Sequence, residues 1–168
     1  MADENFDRAV IFVLSHGEEG AVGLVLNKPS EQSLGSLLPE WQMGDFHQLT
    51  VFRGGPVDAH SAMALGRFVG EIPDSMEFIF ANIGVVDLSK DPESLPPSLI
   101  DLRPYLGYSG WGPMQLEAEL AANAWFVVEA DPLDMFIDEN QDLWSMVLRR
   151  QEGPMSWMSN YPPDPRMN

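Results

Sequence analysis

The sequence contains no cysteine, so it can build neither a disulfide framework, nor a thiolate nucleophile, nor a cysteine zinc ribbon. Positive charge is scarce: nine Lys and Arg stand against 26 Asp and Glu, for a net charge of −17 at pH 7. DNA binding rests on several cation–phosphate contacts, and here the one adjacent pair of cations is Arg149-Arg150. Direct nucleic-acid binding is therefore not expected. Long apolar runs are missing too. The longest, Ala9–Leu14, has strand length and falls far short of the ~20 residues that cross a bilayer. The opening segment Met1–Arg8 is acidic, unlike a signal peptide, so a cytoplasmic protein with no membrane role is predicted. No Gly-Lys-Ser/Thr phosphate loop, Gly-x-Ser-x-Gly elbow or His-Glu-x-x-His zinc motif occurs. Neither a metal site nor a cofactor is expected.

What is present suits a globular fold. A chain of 168 residues allows one domain, and 45% hydrophobic residues with five Trp and nine Phe argue against disorder. Strands are predicted at Ala9–Leu14, Ala21–Leu26, Leu49–Phe52, Glu77–Phe80 and Trp125–Glu129. The polar segment 15–20 joins the first two as a hairpin. Asn27-Lys28-Pro29 ends the second run. Short helical segments are expected at Ser33–Leu38 and Ser98–Leu102, and longer helices over 114–122 and about 139–150. The second long helix carries acids at its start and Arg149-Arg150 at its end, in the order that complements a helix dipole. Residues 155–168 read as a loose tail. Early strands and late helices without βαβ alternation indicate an α+β domain.

Three segments could carry function. Leu106–Leu120 places Gly107, Gly110 and Gly112 ahead of a predicted helix start. That arrangement suits either an anion or phosphate site around Gly110–Gln115, walled by Tyr108 and Trp111, or a packed turn that wedges Trp111 into the core. Arg53-Gly-Gly-Pro-Val57 reads as either a ligand loop or a plain turn. His16, beside Glu18 and Glu19, could serve as a general base or simply hydrogen-bond within its hairpin. Ser15 is its neighbour, and adjacent strand residues face opposite ways, so no triad is implied.

Taken in order, several blocks resemble the YqgE/AlgH family. They are Asp3-x-Asn5-Phe6, His16 with Gly20, Gly23–Asn27 with Pro29, Gly54-Gly55-Pro56-Val57, Gly107-Tyr-x-Gly-Trp111-x-Pro113-x-Gln115-Leu116-Glu117-x-Glu119-Leu120, and Asn123-x-Trp125. The resemblance implies one α+β domain with a bent, branched β-sheet folded into a pseudo-barrel and flanked by helices. It assigns no reaction, although one branch is described as a transcriptional regulator. The shared positions His16, Asn27, Gly54, Gly55, Gly110, Trp111, Gln115 and Glu117 form a candidate ligand-binding surface. Members commonly carry a further apolar strand ahead of Asp3. Without it, an open sheet edge could pair two chains, so a monomer or weak dimer is expected. Two functions remain in view: a binding or regulatory module for a protein partner or small anionic ligand, and a nucleotide- or phosphate-binding protein or enzyme using residues 110–115 with His16 or Glu117.

Overall fold

The computed structural model describes residues 6–74, 76–138 and 140–160. The predicted hairpin forms from β1 (Ile11–Gly17) and β2 (Gly20–Val25), with His16 opposite Ala21. Then come β3 (Pro29–Ser33), α1 (Leu34–Leu37), β4 (Thr50–Arg53), β5 (Val57–Phe68), β6 (Glu77–Phe80) and β7 (Ile83–Val86). The chain continues through β8 (Leu99–Trp111), α2 (Gln115–Ala121), α3 (Leu143–Arg149) and α4 (Pro154–Met158). The strands form one sheet in the order β1-β2-β8-β5-β7-β6, with β3 and β4 branching from it. This is the α+β class, with a nearly closed, mainly antiparallel sheet and four helices.

β8 is the branch point. Its length pairs antiparallel with β5, its residues Ser109–Trp111 pair with β2, and Tyr105 and Leu106 pair parallel with β4. One strand therefore holds three neighbours. Gly54 fastens the junction: its N–H donates to Leu106 O at 2.8 Å, and its carbonyl accepts from Val25 N at 2.9 Å and Ser109 Oγ at 3.2 Å.

Strand alternation splits the core into two clusters. Phe52, Leu65 and Tyr105 face one side together with Met135, Leu143 and Val147. Val51, Ala64 and Phe68 face the other with Leu34 and Trp41. α3 reaches the first cluster through Leu143 and Val147. Asp142 caps it, accepting from Ser145 N at 3.1 Å and Ser145 Oγ at 2.6 Å. Arg150, just past its end, forms a two-pronged pair with the buried carboxylate of Asp134 at 2.8 and 2.6 Å.

Four expectations are corrected. Trp125–Glu129 is not a strand but an irregular segment, whose apolar side chains line a cavity instead of a ladder. Of Ser98–Leu102, Ser98 ends a turn and Leu99–Leu102 opens β8, so no helical turn forms there. The second long helix starts at Leu143, behind its Asp142 cap, and Glu139 lies outside the described residues. The tail is helical over Pro154–Met158, while its remainder from Tyr161 lies outside the described residues.

Candidate functional site

Three strands bring the first group of site residues together. His16 pairs with Ala21, and Ala21 with Trp111, so one rung crosses β1, β2 and β8. Directly opposed residues share a face. The chain then turns through Gly112–Met114, with Met114 at φ +61°, and enters α2. This places the Glu117 carboxylate on the rung, where it accepts from His16 Nε2 at 2.6 Å.

The remaining polar groups of α2 bond to one another. Gln115 Oε1 accepts the Gly112 N–H at 3.0 Å, and Gln115 Nε2 donates to Glu119 Oε1 at 3.0 Å. Glu119 Oε2 accepts two indole N–H groups, from Trp111 at 3.0 Å and from Trp125 at 2.7 Å. One carboxylate thus joins β8, α2 and the segment after α2. Burial pushes the Glu119 carboxyl upward, but hydrogen bonds from Trp125, Gln115 and Trp111 outweigh it and hold the group below its ordinary value. Glu117 is also held low, first by its own backbone N–H and then by His16.

These depressed carboxyls fix the sign of an acid response. For Glu119, Glu117 and the Asp142 cap, also held low despite burial by Ser145, the folded chain binds fewer protons than the unfolded one. Their contribution is complete above the ordinary Glu value of 4.5 and is lost as pH falls through the depressed values. Urea midpoints are expected to hold steady above that point and to decline below it. Glu119→Gln should flatten the decline.

The other candidates lie elsewhere or face inward. Asn27 accepts Val10 N at 2.9 Å and donates to Arg8 O at 2.8 Å, so it pins the segment before β1. Gly54 and Gly55 meet the backbone of β8 at residues 107–109. Gly110 sits within the ladder opposite Val22. The predicted glycine-rich helix start is therefore mostly strand, because β2 and β5 pair with β8 as far as Trp111 and Tyr108. α2 is only seven residues long, and its first turn already holds Glu117 and the Gln115 oxygen.

Beside the rung opens a cavity of about 490 Å³. Trp111 is the one sequence-predicted site residue on its wall. Phe6, Leu116, Leu120, Trp125 and Trp144 are among its other apolar lining residues, with Arg8 at hand. The signal for these residues was present: Phe6 and Trp125 stand in the shared blocks, and Leu116 and Leu120 are one helical turn apart. What periodicity could not show is that the loop carrying Trp125 folds back over β1. Among the described residues, no group of three or more His, Asp and Glu is arranged to hold a metal. None of the described helices is long and apolar enough to cross a membrane.

Comparisons with known proteins match this architecture. The AlgH-like family model covers residues 1–156. A UPF0301 protein of Streptomyces coelicolor is 43% identical over 173 residues, spanning 100% of this chain and 90% of its own length. Its counterpart in Mycobacterium tuberculosis is 37% identical over 98% of this chain and 83% of its own. A crystal structure of protein DIP2367 from Corynebacterium diphtheriae superimposes with a TM-score of 0.84 at 29% identity, covering 96% of this chain and 86% of that one. The solution structure of AlgH from Pseudomonas aeruginosa gives 0.72 at 27% identity, covering 96% and 88%. The chain belongs to the YqgE/AlgH family, whose members also carry the name UPF0301.

Proposed function

We propose that this protein is a binding module that holds a small, mainly apolar molecule in the cavity bordered by Trp111, Trp125 and Trp144. The observation that carries this reading is the cavity itself. Its volume of about 490 Å³ falls in the usual range of small-molecule sites, about 300–1,000 Å³. Its walls come from four separate elements, so a ligand there would bridge β1, β8, α2 and α3. The polar side chains of α2 beside it, Gln115, Glu117 and Glu119, are already hydrogen-bonded within the fold, which favours holding over chemistry. His16 and Glu117 face each other on the surface, with side-chain exposures of 48% and 35%.

A protein partner is the second reading, favoured by Phe126 and Val127, which are 52% and 77% exposed and border the same cavity. An anionic ligand draws less support, since Glu117 stands in the first turn of α2 and the chain carries a charge of −17.

Titration with phenylnaphthylamine, an uncharged fluorophore, tests the proposal. Its emission is expected to rise and saturate with the wild-type protein. Leu120→Trp, which fills the cavity from α2, should weaken binding at least about tenfold, a loss near 1.4 kcal/mol. ATP and inorganic phosphate should not displace the probe. A thermal shift with either anion, abolished by Gln115→Ala, would instead favour the anion site.

A further inference from the structure

The cavity's aromatic wall has a particular form. Phe6 stands edge-on to Trp125, with ring centroids 5.6 Å apart and planes at 82°. Trp125 stands edge-on to Trp111 at 6.2 Å and 80°. All three rings line the cavity. The indole N–H groups of Trp111 and Trp125 both donate to Glu119, so neither is left over as a donor to a ligand. Donation to a carboxylate also pushes electron density into an indole, which strengthens the negative potential of its faces. Aromatic faces attract cations electrostatically, tryptophan most strongly.

Two further observations point the same way. Arg8 already places its guanidinium carbon 4.5 Å from the centre of the Trp144 ring, so a neighbouring indole of the same cavity holds one cation in the folded protein. The net charge of −17 raises the local concentration of cations at the surface. A primary ammonium would need hydrogen-bond acceptors to replace its water, and at the Phe6, Trp111 and Trp125 wall the nearby Glu119 has turned its oxygens to the indoles and Gln115. An alkylated ammonium has no such need. Among the described residues, the cavity's one lining carboxylate, Asp7, adds negative charge beside that wall.

We infer that the cavity takes a small organic cation of the alkylated-ammonium class, its methylated head held by Phe6, Trp111 and Trp125 and its apolar body along Leu116 and Leu120. This rests on the cavity being the ligand site. The experiment measures displacement of bound phenylnaphthylamine by benzyltrimethylammonium and by choline. Each cation is paired with its neutral carbon isostere, in which carbon replaces the quaternary nitrogen.

Each cation is expected to bind at least about fivefold more tightly than its isostere, in keeping with a cation–π contribution. Glu119→Gln keeps a carbonyl acceptor for one indole and removes the charge. It should erase most of that preference, read as the ratio of cation to isostere affinity, in which any change common to both ligands cancels. Trp125→Leu should act in the same direction. If the fluorophore binds but cation and isostere compete equally, the inference is overturned and the cavity reading stands. If the fluorophore itself does not bind, both fall. A preference that survives in Glu119→Gln and in Trp125→Leu would place cation binding elsewhere and likewise overturn the inference.

Discussion

Gly55→Ala is expected to cost at least about 3 kcal/mol of stability, enough to leave much of the chain unfolded at ordinary temperature. A Cβ at Gly55 would stand 2.3 Å from both the carbonyl carbon and oxygen of Tyr108, and 2.4 Å from Ser109 N. Those atoms belong to the strand that pairs with β2, β4 and β5. They cannot retreat without loosening the junction. The backbone angle at Gly55, φ +153°, adds strain to any L side chain. Gly54→Ala should be similarly severe, since its Cβ would lie 2.3 Å from Gly107 O. Gly17→Ala is the control: an added Cβ there meets nothing within 4 Å, so the change should fall within about 0.5 kcal/mol of wild type. Urea denaturation of the three variants makes the comparison. A Gly55→Ala protein as stable as Gly17→Ala would mean that the Gly-Gly turn does not press on β8.

Glu119→Leu carries the second large effect. The substitution keeps an apolar stem but removes the acceptor shared by Trp111, Trp125 and Gln115. Trp111 is buried at 7% exposure, so its N–H gains little from solvent. An unsatisfied buried donor costs about 1–3 kcal/mol, and two indoles lose their partner together. A total loss of about 2–4 kcal/mol is expected, the lower end applying if Trp125 swings outward. Glu119→Gln should recover more than half of it. Those values are read from urea midpoints at neutral pH. Equal stability of Glu119→Leu and wild type would show that the indoles find other acceptors. The carboxylate would then not be the tie between β8 and the loop after α2.

How much of this was legible in the sequence follows from how each segment is partnered. The β1–β2 hairpin, β6 and both longer helices were readable because their apolar periods match their own local geometry. β8 was not. It carries Pro104, Gly107 and Gly110, residues that normally argue against a central strand. Pro104 is tolerated opposite Ala64, a position where the described ladders pair β8 with β5 alone. All of β5 escaped notice: its first half, Val57–Ser61, is exposed and mostly polar, and its second half carries Gly66 and Arg67 among its apolar residues. β3 is a short, largely exposed strand whose partner, β4, lies well along the chain.

The candidate site divides in the same way. Around the Gly-Tyr-x-Gly-Trp block, His16, Trp111, Gln115 and Glu117 do come together in the fold. Asn27, Gly54 and Gly55 are instead occupied in holding backbone together. Glu119 matched the same block, yet nothing in the spacing revealed that its carboxylate would bond two indoles from different segments. The cavity depends on residues that are distant in sequence, Phe6 with Trp111, Trp125 and Trp144, and only the closed fold makes them neighbours.

The most direct test of the central claim uses the five tryptophans as reporters. In a nitrogen-15-labelled sample, the indole N–H signals of Trp41, Trp111, Trp125, Trp144 and Trp157 are followed while phenylnaphthylamine is added. Trp41 is buried in the other core cluster, where it donates to Leu88 O at 3.0 Å, and Trp157 is 73% exposed and does not line the cavity. The signals of Trp111, Trp125 and Trp144 are expected to move together and saturate, with Trp41 and Trp157 unchanged. Movement of Trp157 alone, or no movement of the three cavity indoles at saturating probe, would contradict the account.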